Sequence, residues 1–150
     1  HVVLIGIKDI SCYNMEGEFE WSVPNESNGL FHAIPGESGL LLYFPEATHM
    51  GEKKGNSLLV GDKGEYSVTA FPKYLSDLQP YGNGYVGLEY KTTLVFLNQN
   101  GRVTKRQKLP DTVSRLVTNP YQPETLYVRT DSNTLQKYTS TVNEQEENDK

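Results

Sequence analysis

The feature that most limits the fold is a recurrence of short apolar runs at near-constant spacing. Val2-Val3-Leu4-Ile5, Leu40-Leu41-Leu42-Tyr43, Tyr85-Val86-Gly87-Leu88 and Leu126-Tyr127-Val128 are centred near Val3, Leu42, Val86 and Tyr127, at steps of 39, 44 and 41 residues. Each run is shorter than a helix needs, and Gly and Pro punctuate the sequence at short intervals, so each reads as a strand. A sustained period in this range marks a repeat architecture.

Two further patterns keep the same spacing. After each of the first three runs comes a second apolar stretch that ends in a glycine turn, with a polar strand leaving it. These are Ser11 to Phe19 around Gly17, Leu58 to Tyr66 around Gly64, and Val95 to Val103 around Gly101. A glycine at such a point supplies positive φ for a tight hairpin. In the fourth copy, Leu135 to Tyr138 runs into Ser140-Thr141-Val142 without that glycine. A third element precedes each run and is clearest as Val113 to Thr118. Asn119-Pro120 closes it, which favours a strand over a single helical turn. The unit is therefore a four-stranded antiparallel meander of about 42 residues, and the chain is all-β. One such sheet cannot cover both of its faces, but copies stacked face to face can, as in the blades of a β-propeller.

Residues 113–138 resemble the second half of a WD40-type blade, with an Asn-Pro turn, the strand Thr125-Leu126-Tyr127-Val128, Asp131 before the hairpin and Tyr138 at an aromatic position. The first unit resembles the quinoprotein-like repeat, with Tyr13-Asn14, Gly17 and Trp21 four residues beyond that glycine. No Gly-His pair and no Trp-Asp dipeptide occurs, so the resemblance reaches the superfamily and goes no finer. It implies partial blade 1–24, blades 30–73 and 76–110, a further blade over 112–142, and an acidic tail or linker over 143–150. Three and a half blades are fewer than the usual four to eight. A segment of a larger propeller is therefore expected, in preference to a four-bladed ring closed between its own ends.

Composition agrees with a folded chain. Leu, Ile, Val and Phe make up about a quarter of the 150 residues, above the level typical of disorder. The net charge of −5 argues against a nucleic-acid partner, which needs a clustered basic surface. No apolar run approaches a membrane span of about 18 residues. A single cysteine, Cys12, cannot form an internal disulfide. It reads as a small core residue and tilts the expectation toward an intracellular compartment, with the secretory lumen as the alternative. The chain begins at His1 without a methionine, which suggests a processed product or a piece of a longer polypeptide.

Catalytic and ligand-binding signatures are missing. His1, His32 and His49 are scattered, and no zinc spacing, P-loop, dinucleotide fingerprint or nucleophile elbow occurs. Carboxylates such as Glu37, Glu46 and Glu89 could pair as acid and base, but nothing in the order of residues brings two together. Asn25-Glu26-Ser27 is a formal glycosylation triplet. Residues 48–56 read as a polar loop inserted between two strands. Glu16, Glu18 and Glu20 alternate as if on one strand face, as do Arg102, Arg106 and Lys108.

The expected function is a non-catalytic protein–protein interaction scaffold within a larger protein or complex, without metal, cofactor or evident small-molecule ligand. Its partners would be other proteins or the remainder of its own propeller. The expected contact residues lie in loops and turns: His49, Lys53, Lys54, Tyr81, Asn83 and Tyr121. The alternatives are a carbohydrate-binding or glycoside-processing propeller, and a purely structural bracing segment.

Overall fold

A computed structural model describes residues 1–25, 32–36, 39–44, 56–72 and 75–138. Among them are four antiparallel sheets of three or four strands and no helix. The first sheet holds β1 (Val2–Ile5), β2 (Asp9–Tyr13) and β3 (Phe19–Pro24). The second holds β4 (His32–Gly36), β5 (Gly39–Tyr43), β6 (Ser57–Val60) and β7 (Tyr66–Thr69). The third holds β8 (Leu75–Tyr81), β9 (Gly84–Glu89), β10 (Thr93–Leu97) and β11 (Val103–Lys108). The fourth holds β12 (Val113–Asn119), β13 (Gln122–Thr130) and β14 (Leu135–Tyr138). Strands consecutive in sequence are neighbours in every sheet.

The core lies between the sheets in three layers. Ile10 and Val23 of the first sheet meet Leu42, Leu58 and Val60 of the second. Leu41 and Tyr43 of the second meet Tyr85, Val95 and Leu97 of the third. Leu94 and Phe96 of the third meet Leu116, Leu126 and Val128 of the fourth. Neighbours along β5 and β10 thus point into different layers, as the period of two requires. Both faces of the inner sheets are covered, which is why their runs are apolar without alternation. The two end sheets are covered on one face only. On their outer faces Leu4 remains 55% exposed, Phe19 60% and Leu135 62%.

The three glycine hairpins share one hydrogen-bond pattern. The N–H groups of Gly17, Gly64 and Gly101 donate to the carbonyls of Asn14, Gly61 and Asn98 at 3.1, 3.1 and 3.0 Å. Their φ angles are 85°, 80° and 73°. The Asn14 and Asn98 side-chain oxygens each accept two backbone N–H groups of the turn, from Glu16 and Glu18 and from Asn100 and Arg102. This side-chain mimicry of a backbone turn stabilises the hairpin locally. The same turn joins β13 to β14, with Asn133 at φ 63° in the place of glycine; Asn tolerates that region where most residues do not.

Two expectations change. Only Glu20 of the acidic trio lies in β3, since Glu16 and Glu18 belong to the turn before it; Arg102 likewise precedes β11. Asn56, expected in a solvent loop, is 3% exposed. It hydrogen-bonds both backbone groups of Phe71, accepting from the N–H at 2.7 Å and donating to the carbonyl at 3.1 Å. The rest of that loop, the triplet residues Glu26 and Ser27, the carboxylates Glu37 and Glu46, and the acidic stretch 143–150 lie outside the described residues.

Candidate functional site

The first strands of the second, third and fourth sheets, β4, β8 and β12, border a cleft of about 670 Å³. That is within the range of small-ligand and peptide-loop sites. Two local devices shape it. A bulge in β8 between Ser76 and Gln79 places Asp77 at φ 52°. Its carboxylate accepts the Leu116 N–H of β12, and this bond ties the first strands of two sheets together. The second device is the β8–β9 hairpin Tyr81-Gly82-Asn83-Gly84. Its Gly82 N–H donates to the Pro123 carbonyl at 2.7 Å, holding the hairpin against the start of β13. Gly84 leaves no room for a side chain, because a Cβ there would sit 2.0 Å from the Leu97 carbonyl oxygen.

The cleft is lined by uncharged groups for the most part. Gln79, Asn83 and Gln99 border it, and their carboxamides make no hydrogen bond to another described residue. Each can donate and accept. Tyr81 is half-buried, with its ring 5.3 Å from that of Phe96, and burial is the main cause that pushes its phenol up. Tyr85 forms part of the floor, and burial raises its phenol too. The Asp77 carboxylate is already engaged. Such a lining suits a neutral, hydrogen-bonding ligand or a polypeptide loop.

Of the contact residues expected from sequence, Tyr81 and Asn83 come together on this hairpin. Tyr121 sits on the β12–β13 turn, 92% exposed, with its N–H donating to Asn119 Oδ1 at 3.0 Å, and does not line the cleft. His49, Lys53 and Lys54 lie outside the described residues. Sequence reasoning missed Asp77, Gln79 and Gln99. Tyr81 and Asn83 were legible as loop or turn residues, but nothing local marks the bulge that turns Asp77 toward β12.

Some of the other titratable groups have structural partners. His1 pairs with Glu20 at 3.3 Å and Arg106 with Glu89 at 3.6 Å. His32 borders the cleft. Cys12 is buried, its thiol pushed up by burial first and then by the Glu20 carboxylate 3.4 Å away. A protonated thiol is a poor nucleophile. Asn25 donates its side chain to the Gly6 carbonyl at 2.6 Å. Among the described residues no three His, Cys, Asp or Glu side chains are grouped to hold a metal ion, and no helix is long and apolar enough to cross a membrane.

No family model and no curated protein matches the chain. Among solved structures it is similar to apo AztD from Citrobacter koseri. The TM-score is 0.49 at 12% identity, over 91% of this chain and 55% of that one. The chain thus spans about half the length of that structure.

Proposed function

We propose that the chain is a non-catalytic protein–protein interaction scaffold, built of about three and a half β-propeller blades that belong to a larger protein or complex. The observation that carries this reading is the difference between inner and end sheets. The inner two bury both faces, whereas the end two leave apolar side chains such as Leu4, Phe19 and Leu135 uncovered. Exposed apolar surface on a sheet face favours association. The cleft beside Tyr81 and Asn83 offers a second place for a partner loop.

Sedimentation tests the first part. The isolated chain should self-associate with rising concentration, and the Leu4→Lys/Phe19→Lys variant should not. A chain that stays monomeric throughout and unfolds cooperatively would argue against a segment of something larger. Cross-linking tests the second part. A photo-reactive amino acid in place of Asn83 should capture discrete partners from native extract, and the same group in place of Ser132, an exposed turn residue, should not. Equal capture at both positions would count against the cleft. The free carboxamides beside Tyr81 also favour a second reading, a neutral saccharide in the cleft. Glycan binding abolished by Asn83→Ala would support it.

A further inference from the structure

The two uncovered end faces differ in chemistry. On the outer face of the fourth sheet the register sets Arg115 opposite Arg129 and Arg129 opposite Leu135. The neighbouring row sets Val117 opposite Tyr127 and Tyr127 opposite Lys137. Cross-strand partners project to the same side, so three cations and three apolar groups share a field two rows deep. Like charges directly opposite each other repel. Arg129 directs Nε and Nη2 to Asn133 Oδ1 at 3.2 and 2.6 Å, a neutral acceptor that leaves the positive charge uncompensated. The ion pairs found among the described residues, His1–Glu20 and Arg106–Glu89, both lie on other sheets.

The corresponding faces of the other three sheets, each turned toward the sheet that follows, carry Ile10 and Val23, Leu41 and Tyr43, and Leu94 and Phe96. All six are buried. The fourth sheet breaks this series. Pressing Arg115, Arg129 and Lys137 against another apolar sheet would strip three charges of water without pairing them, which is strongly unfavourable. The chain as a whole carries −5, so the positive field is local to this face.

The geometry points to the outer face of the fourth sheet as a docking surface for an acidic polypeptide segment of a partner, with apolar residues interspersed. Carboxylates of the segment meet Arg115, Arg129 and Lys137, and its apolar side chains cover Val117, Tyr127 and Leu135. Charge complementarity selects the occupant: guanidinium groups bind carboxylates bidentately, and the three apolar groups favour a polypeptide over a bare polyanion. This inference rests on the scaffold reading and assigns one of its surfaces a partner chemistry.

Fluorescence anisotropy of a labelled peptide alternating Glu with Leu, titrated with the full 150-residue chain, tests it. Saturable binding that weakens with added salt is expected. Arg115→Ser/Arg129→Ser should weaken it about tenfold or more, as loss of a charge-assisted contact implies, while Leu4→Lys/Phe19→Lys on the opposite end should leave it unchanged. Thermal unfolding of each variant checks that it is folded. Absence of binding by folded protein overturns the proposal. Equal affinity for a short DNA duplex overturns it in favour of a general polyanion site. Binding that emerges only after Glu144, Glu146 and Glu147 are changed to Gln overturns it in favour of the chain's own acidic stretch. Failure here with retained cross-linking at position 83 sinks the docking face alone; failure of both sinks the scaffold reading.

Discussion

Glycines at hairpin tips carry two separate constraints that a sequence cannot tell apart. Gly17, Gly64 and Gly101 all have positive φ, yet their surroundings differ. A Cβ on Gly17 would meet nothing within 4 Å. On Gly64 it would lie 2.9 Å from the Trp21 side chain, and on Gly101 1.8 Å from the Phe71 ring. The first of these turns is pressed onto an aromatic of the preceding sheet and the second onto an aromatic of the connection after β7, and Trp21 Nε1 also donates to the Asp62 carbonyl at 2.9 Å. Gly17→Ala should therefore cost about 1 kcal/mol, from backbone strain alone. Gly101→Ala should cost about 3 kcal/mol or more, because overpacking adds to the strain. Urea unfolding of the two variants compares them directly, and equal losses would contradict the steric argument. Asn56→Ala should cost about 2–4 kcal/mol, since it strands a buried N–H and a buried carbonyl of Phe71 at about 1–3 kcal/mol each before relaxation. Asn56 was misread as solvent-exposed because the contacts that bury it lie 15 residues away.

At the level of strands, periodicity was the informative signal. Continuous apolar runs at β5, β9 and β10 read as strands by pattern alone, and the structure explains their continuity by burial on both faces. Leu94 and Val95 are both fully buried although they point into different layers. Leu94→Ala should cost about 2–5 kcal/mol, whereas Leu135→Ala on the uncovered outer face should stay within about 0.5 kcal/mol. Denaturant midpoints distinguish the two, and similar values would deny that the layers are one-sided at the end sheet. Val113 to Thr118, ambiguous between strand and helical turn by pattern alone, is the strand β12; Asn119-Pro120 was the right cue. The charge alternation was less reliable. It counted residues across hairpin turns, where the side chains of Glu16 and Glu18 no longer follow the pleat.

For the molecule as a whole, the stack of sheets places three tyrosines, Tyr43, Tyr85 and Tyr138, at buried positions along the layers and a fourth, Tyr81, at a half-buried one. Burial raises the phenols of Tyr43, Tyr81, Tyr85 and Tyr138 above the ordinary 10.0. Their neutral forms are the ones the fold accommodates, while the unfolded chain deprotonates near the ordinary value. Stability from these groups is thus fully present below about pH 10 and is lost as pH rises through the raised folded values. The thermal midpoint should fall in alkali, and tyrosinate absorbance from these four should rise together with unfolding. A smooth titration with the fold intact would show that the phenols reach solvent freely. Tyr43 should contribute most to the coupling between sheets, since its hydroxyl donates to the Pro72 carbonyl at 2.9 Å and accepts the Leu75 N–H at 3.2 Å.

Strand identity, hairpin positions and the all-β class follow from local order: alternation, apolar runs and glycine at positive φ are written within windows of ten residues or so. The cleft, the Asp77–Leu116 tie and the contrast between the two end faces do not. They depend on register and on which sheet lies against which, properties of residues some 40 positions apart. Arg115 and Arg129 are unremarkable in the sequence and become a paired charge only when β12 and β13 align them. Tyr81 and Asn83 could be picked as turn residues, but the carboxamides of Gln79 and Gln99 join them only because a bulge and a hairpin bring separate strands to one opening.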